Sequence, residues 1–291
     1  MNKKKIIIFS FLVIMFFYLV WSNVTFMTTR YTIESGKIPK EFDGFKIVQL
    51  SDLHNANFGK DNSKLIKTIK KQKPDMIAVT GDFIDGSKPN VKAAEEMAKN
   101  LVEIAPCYYV SGNHEASLEK SKFDEFIEVI KGYGVNVLEN DVSSINKNEV
   151  NIQIVGLQDL SFLERDAGAD NSEDIKLEDF VDSDYSALEN NEKINKDLYT
   201  IVLEHRPTFI DYFSEKDTDL VLTGHAHGGW LRIPFVGGLV APDQGLFPKY
   251  DTGKYTKDDT VMIVSRGLGN SIIPFRVNNR PELVVVELKS K

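Results

Sequence analysis

The sequence predicts an α/β fold, and three observations carry that prediction. The first is a recurring unit in which a short apolar run stops at a polar cluster. "FKIVQL" precedes "SDLH", "MIAVT" precedes "GDFID", "CYYV" precedes "SGNHE", and "NIQIVG" precedes "LQD". "YTIVL" then precedes "EHRP", "LVLT" precedes "GHAHGG", "TVMIV" precedes "SRGLGN", and "ELVVVEL" closes the chain. Short runs rich in β-branched residues and bounded by turn formers are the pattern of buried strands. The second observation is that amphipathic stretches lie between several of them. Residues 62–72 set Leu65, Ile66 and Ile69 on one face and stop before Pro74. Residues 90–104 do the same with Ala94, Met97, Ala98 and Leu101 and end before Pro106; residues 122–131 use Phe123, Phe126, Ile127 and Ile130 and are closed by Gly132 and Gly134. Strands alternating with helices define the α/β class. The third is that every polar cluster falls at the carboxyl end of a strand, where such folds bind ligands. Residues 228–255, rich in Gly and Pro, are expected to form a long loop bordering that edge.

The N-terminus is of a different kind. "MNKKK" is followed by residues 6–29, which carry no charge. At about 1.5 Å per residue that is enough helix to cross a hydrocarbon core of roughly 30 Å. A soluble core helix fits poorly, because residues 6–21 show no polar face. A cleaved signal peptide remains open, although Val20–Trp21–Ser22 is a poor cleavage site. An uncleaved signal anchor fits best, with Lys3, Lys4 and Lys5 cytoplasmic and the rest of the chain outside the cell membrane. The expected division is therefore 1–30, a lysine cluster plus transmembrane anchor, and 31–291, one domain. Without the four cations of the first 30 residues, 31 basic residues face 43 acidic ones, a net charge of −12. So acidic a domain is a poor general binder of nucleic acid or of an anionic membrane. Residues 159–192 hold 12 Asp and Glu against Arg165 and Lys176. They are expected to form a solvated surface insertion, with a substrate lid as the sharper alternative. Cys107, the single cysteine, excludes an internal disulfide and a thiolate cluster and is expected to pack in the core.

The five histidines, His54, His114, His205, His225 and His227, all lie in polar clusters after apolar runs. A hydrogen-bonded structural histidine is the ordinary case, but it would have to recur at the same kind of position each time. Imidazole, carboxylate and amide oxygen are the ligand set for Mn²⁺, Zn²⁺ or Fe²⁺. In an extended segment residues i and i+2 point the same way, so Asp52 and His54 can reach one ion together. His225 and His227 can converge on one centre, or split across two ions as the chain turns at Gly228. Two ions need a bridging carboxylate, and Asp82, beside Gly81, is placed for it. Asp52, His54, Asp82, Asn113, His205, His225 and His227 then suit two divalent metals with one ligand shared.

The ordered set "DLH", "GDFID", "GNHE", "EHRP" and "GHAHGG" resembles the calcineurin-like binuclear metallophosphoesterases, and the match runs from Phe45 to about Gly269. The anchor and the tail "IIPFRVNNRPELVVVEL" resemble the membrane-anchored YkuE/YaeI-like branch. The resemblance implies a four-layer α/β/β/α sandwich of two mixed sheets flanked by helices, with the metals at the strand ends. It implies one metal on Asp52, His54, Asp82 and His227 and a second on Asp82, Asn113, His205 and His225. His114 is then not a ligand but faces the substrate, protonating the leaving oxygen or stabilising charge on phosphorus. Glu115 is expected to orient its neighbours. The branch often reads G-H-T-H-G-G-Q, whereas Ala226 and Trp230 stand here, and neither change removes a ligand. Trp230 packs on a substrate group or covers the core. Arg206 and Arg276 are candidate phosphate contacts.

The implied activity is hydrolysis of a phosphodiester or pyrophosphate by a hydroxide bridging two metals, with no covalent enzyme intermediate. Tether and location suggest a lipid- or cell-wall-related phosphoester at the membrane surface. Competing substrates are nucleotides, for a broad phosphodiesterase, or phosphoproteins. A reading of another class is a non-catalytic, metal-stabilised binding protein tethered to the membrane.

Overall fold

In the computed structural model, which describes residues 3–167, 177–271 and 273–291, two six-stranded mixed sheets face each other. The first runs in the order Met27–Ser35, Glu282–Ser290, Lys46–Leu50, Met76–Thr80, Cys107–Val110 and Asn136–Val137. All its neighbours are parallel except Glu282–Ser290 with Lys46–Leu50. The second runs Gly253–Lys257, Thr260–Val264, Leu220–Thr223, Thr200–Leu203, Val150–Gly156 and Asp141–Lys147. It is parallel inside and antiparallel at both edges.

Strand alternation divides the apolar residues into three cores. Met76 and Ala78 of the first sheet meet Ile154, Ile201, Leu203 and Leu222 of the second between the sheets. Their sequence neighbours Ile77 and Val79 point the other way, onto Leu65 and Ile69 of helix Ser63–Gln72, Met97 and Leu101 of Val91–Val102, and Phe126 and Ile130 of Lys120–Gly132. Val155, Val202 and Val221 back onto Tyr185, Ile210 and Phe213 in the third core. With both sheet faces covered, the strands read as continuous apolar runs, and the layers are α/β/β/α. Cys107 is buried in the first helix-facing core, and burial pushes its thiol up to about 12.

Helix α1, Lys3–Val24, stands largely outside this body and is long and apolar enough to cross a membrane. A signal sequence meets the same description. Its last turns touch the domain: Tyr18 Oη donates to Asn278 Oδ1 at 2.8 Å, and Asn23 exchanges hydrogen bonds with the Arg276 backbone at 2.7 and 2.9 Å. The Arg280 guanidinium sits 4.3 Å from the Trp21 ring.

Two expectations need correction. Residues 159–192 are not simply a solvated insertion. Asp159 is buried, Phe162 packs against Phe123 with ring centroids 4.7 Å apart, and Val181, Tyr185 and Leu188 join the third core. Helices Ser161–Ala167 and Leu177–Asn190 give the stretch an apolar side as well as an acidic one; its residues 168–176 lie outside the described residues. The loop 228–255 also contains two short hairpins, Arg232–Ile233 with Gly237–Gly238 and Val240–Ala241 with Gly245–Leu246.

Candidate metal centre

Strands Lys46–Leu50, Met76–Thr80, Cys107–Val110, Thr200–Leu203 and Leu220–Thr223 end side by side, and the turns after them bring all seven predicted ligands together. The extended i, i+2 geometry is not how they meet. Asp52, His54, Asp82, His225 and His227 all have left-handed backbone, with φ of 50°, 43°, 51°, 64° and 49°. Non-glycine residues seldom adopt that region, and clusters of them mark functional sites. Each strand stops short of its ligands, and the tight turn aims the side chain. Gly81 at φ 83° is required here, because a Cβ would run into the His205 ring.

The atoms form two groups. Asp52, His54, Asp82 and His227 make one; Asp82, His205 and His225 make the other, with Asn113 Oδ1 3.1 Å from His205 Nε2. In the first, His54 Nε2 lies 3.2 Å from His227 Nε2, and Asp52 Oδ1 lies 3.5 Å from the latter. In the second, His225 Nδ1 lies 3.1 Å from His205 Nε2. Asp82 Oδ2 belongs to both, 3.4 Å from His54 Nε2 and 3.3 Å from His205 Nε2. Ligands sharing one ion at about 2.0–2.2 Å stand roughly 3.0–3.5 Å apart. Buried nitrogens and carboxylate oxygens crowded at that spacing repel one another unless cations lie among them. The donor set therefore fits divalent ions, with Asp82 at the shared position.

The surroundings fix which atom of each ring faces inward. His205 Nδ1 donates to the Thr80 carbonyl at 2.9 Å, leaving Nε2 inside. His225 Nε2 donates to Asp243 Oδ2 at 2.8 Å, leaving Nδ1 inside. Asp52 accepts the His225 amide with both oxygens, and Asp82 Oδ1 accepts the His114 amide at 2.9 Å. Glu115 is fully buried and accepts the amides of Asp82, Ile84 and Gly112 at 2.8–2.9 Å, so it ties the Asp82 turn to the Asn113 turn. Burial, and then the charge on Asp82, push its carboxyl up to about 8. Burial holds His54 down to about 4 and lowers His227 too, so both rings are neutral lone-pair donors. For His205 burial also opposes the charged form, but the Asp82 carboxylate outweighs it and raises the pKa well above the usual range.

His114 stands beside these groups. Its Nδ1 accepts the Gly86 amide at 3.0 Å, so the ring proton is on Nε2, which faces Ser271 Oγ at 3.1 Å. Its ring meets His54 edge-on, centroids 4.4 Å apart, and His54, Asp85 and His114 make a third close group of ligand-type atoms.

The expected phosphate contacts need correction. The Arg206 guanidinium is buried and pairs with Asp159 through Nε at 2.8 Å and Nη2 at 3.0 Å, with Asp243 through Nη1, and with Ser161 Oγ at 2.8 Å. Arg276 is fully buried, donates to Asn270 Oδ1 and to the Arg266 and Gly269 carbonyls, and rests Nη2 3.3 Å from His227 Nδ1. Both buried guanidiniums commit four of their five N–H donors to the protein; Arg206 reaches His225 through Asp243, and Arg276 touches His227 directly. Trp230 is buried and lies nearly parallel over His227, centroids 6.0 Å apart, covering that ring; its Nε1 has no partner among the described residues. Sequence reasoning missed Asp243 altogether. It lies in "APDQG", where no periodicity or motif distinguishes it from a turn aspartate.

An α/β/β/α sandwich with paired Asp/His groups at its strand ends is the architecture of a metal-dependent hydrolase. The chain belongs to the calcineurin-like phosphoesterases, whose family model matches residues 45–229, and it is a phosphoester hydrolase. It is similar to the metallophosphoesterase YkuE of Bacillus subtilis, 32% identical over 90% of this chain and 85% of that one. It is also similar to the phosphodiesterase YaeI of Escherichia coli, 32% identical over 84% and 82%. Among solved structures, TT1561 of Thermus thermophilus shares the fold with a TM-score of 0.50 and 12% identity, over 77% of this chain and 90% of that one.

Proposed function

We propose that this protein hydrolyses a phosphodiester or pyrophosphate at the outer face of a cell membrane, on a lipid- or cell-wall-related substrate, with α1 as its single-pass anchor. The observation that carries the two-ion reading is Asp82 Oδ2, which lies within 3.4 Å of a histidine nitrogen from each ligand group. Asp52, His54, Asp82 and His227 would hold one ion, and Asp82, Asn113, His205 and His225 the other. When bound, Mn²⁺, Zn²⁺ or Fe²⁺ ions supply an activated water and neutralise phosphoryl oxygens.

The chain's own residues do the rest. His114, held by the Gly86 amide in the tautomer with its proton on Nε2, donates a hydrogen bond from that nitrogen to the substrate and stabilises the charge that develops at phosphorus or on the leaving oxygen. Ser271 Oγ steadies the same nitrogen between turnovers. Glu115 keeps the Asp82 and Asn113 turns in register. The phosphodiester class is supported by the likeness to YaeI, and the membrane setting by the length and apolarity of α1.

The test is turnover of bis-p-nitrophenyl phosphate by the purified full chain with each divalent metal in turn, followed by lipid, nucleotide and phosphoprotein substrates. Preference for lipid-linked phosphoesters is expected. Turnover of soluble nucleotides alone would reject the substrate assignment. No turnover with any metal would favour the tethered, non-catalytic binding protein.

A further inference from the structure

The surface around the end of α1 carries apolar residues that the fold does not use. Phe235 is fully exposed, and Val236, Leu246, Phe247 and Phe275 are each more than half exposed. In a domain with net acidic charge and ordinary hydropathy, a concentration of large apolar side chains in water marks a contact surface. The question is what covers it, and its attachment to α1 answers that.

These residues are bonded to the place where α1 meets the domain. Phe275 precedes Arg276, whose backbone amide and carbonyl are both bonded to the Asn23 side chain. The hairpin carrying Phe235 and Val236 is fastened to the same segment: Arg232 N donates to the Val277 carbonyl at 2.9 Å, and Asn278 Nδ2 donates to the Arg232 carbonyl at 3.3 Å. Asn278 also receives the Tyr18 hydroxyl. The second hairpin, with Leu246 and Phe247, is hung from the first by Phe247 N donating to Leu239 O at 2.9 Å and Leu239 N to Leu231 O at 2.8 Å.

Depth follows from helix length. A span beginning at Ile6 uses up a hydrocarbon core of roughly 30 Å in about 20 residues, at about 1.5 Å each. That places Trp21 and Asn23 within about 8 Å of the far interface, the level where Trp is enriched, and Tyr18 about 12 Å inside it. The segment 275–280 and the hairpin bonded to it are then at headgroup level, with Phe235, Val236 and Phe275 free to enter the acyl boundary. Arg276 is common to both surroundings: its backbone holds α1 while its guanidinium touches His227.

We propose that Phe235, Val236, Leu246, Phe247 and Phe275 form a second membrane contact that seats the domain on the lipid surface beside α1, with the His227 side of the candidate metal centre next to the headgroups. This contact rests on the spanning role proposed for α1. It deepens the substrate assignment, since a site seated in this way receives phosphoesters presented at the bilayer surface.

The experiment uses the full chain in phosphatidylcholine–phosphatidylglycerol nanodiscs, with an environment-sensitive dye on a single introduced cysteine. Cys107 is buried, so the unsubstituted chain serves as the labelling blank. Phe235→Cys removes no packing, because the side chain is fully exposed. Ile14→Cys reports the span itself, and Asn148→Cys, on the turn between strands Asp141–Lys147 and Val150–Gly156, reports solvent. The dye at Phe235→Cys is expected to shift to the blue and to lose most of its emission to nitroxide-labelled lipid, as the dye at Ile14→Cys does, while the Asn148→Cys dye responds only to iodide. Lipid quenching at Ile14→Cys with only iodide quenching at Phe235→Cys would overturn the second contact and leave the anchor standing. Protection of Phe235→Cys from both quenchers would mean a protein cover, such as a second copy of the chain, and would also overturn it. Absence of lipid quenching at Ile14→Cys would remove the anchor, and the second contact with it.

Discussion

The two ligand groups share Asp82 yet are built differently behind their histidines. Around His205 and His225 each ring has an acceptor at its back, the Thr80 carbonyl and the Asp243 carboxylate. Around His54 and His227 there is none among the described residues. His54 Nδ1 is buried without a partner among the described residues, and His227 Nδ1 faces the guanidinium of Arg276. An acceptor behind a histidine fixes its tautomer and makes it a better lone-pair donor; a cation there does the reverse. The contrast teaches that two sites with similar first ligands need not bind alike. On the proposed two-ion reading, the His205/His225 side would hold its ion more firmly than the His54/His227 side, which lies beside His114.

The largest effect should come from the shared residue. Asp82→Asn is expected to release both ions and abolish turnover; two tightly held ions by elemental analysis would break the bridging assignment. Next, His114→Ala should cut turnover by about 10²–10⁴-fold with metal content near normal, and loss of metal instead would make it a ligand. Asp243→Asn tests the contrast itself. It should weaken one ion about 10–100-fold in a two-step titration and leave the other unchanged; equal weakening of both would show that the acceptor is not what separates the sides. The smallest effect belongs to Trp230→Phe, which keeps a ring over His227 and removes a buried N–H with no described partner. Stability should fall by about 1–3 kcal/mol in thermal unfolding, with turnover preserved. A collapse of turnover at unchanged stability would put the indole nitrogen on the substrate.

Much of this was legible in sequence because both sheets are covered on both faces. The inner strands announce themselves as apolar runs, whereas Met27–Ser35 and Asp141–Lys147, half-exposed edge strands of mixed composition, do not. The ligand residues were legible because so few side-chain types bind divalent metals and all the histidines follow strands. Their geometry was not: the left-handed turns at Asp52 and Asp82 are backbone facts, with no residue signature at Asp52 and only the neighbouring Gly81 at Asp82. Nor does a sequence reveal whether an arginine is free. Arg206 looked like a phosphate contact because it adjoins His205, but Asp159, distant in sequence, claims it. Asp243 acquires its role only when the loop folds back onto His225.

Strand Glu282–Ser290 lies between Met27–Ser35 and Lys46–Leu50, and Met27 is paired with Glu282 at the far end of the chain. Strand Met27–Ser35 therefore waits, without its sheet neighbour, until Glu282–Ser290 has been made. Such a long-range closure is slow, and until it happens two strand edges stay open to pairing with other chains. A chain cut short before Glu282 should keep its metal-ligand motifs and still aggregate, so the integrity of strand Glu282–Ser290 governs the yield of folded protein.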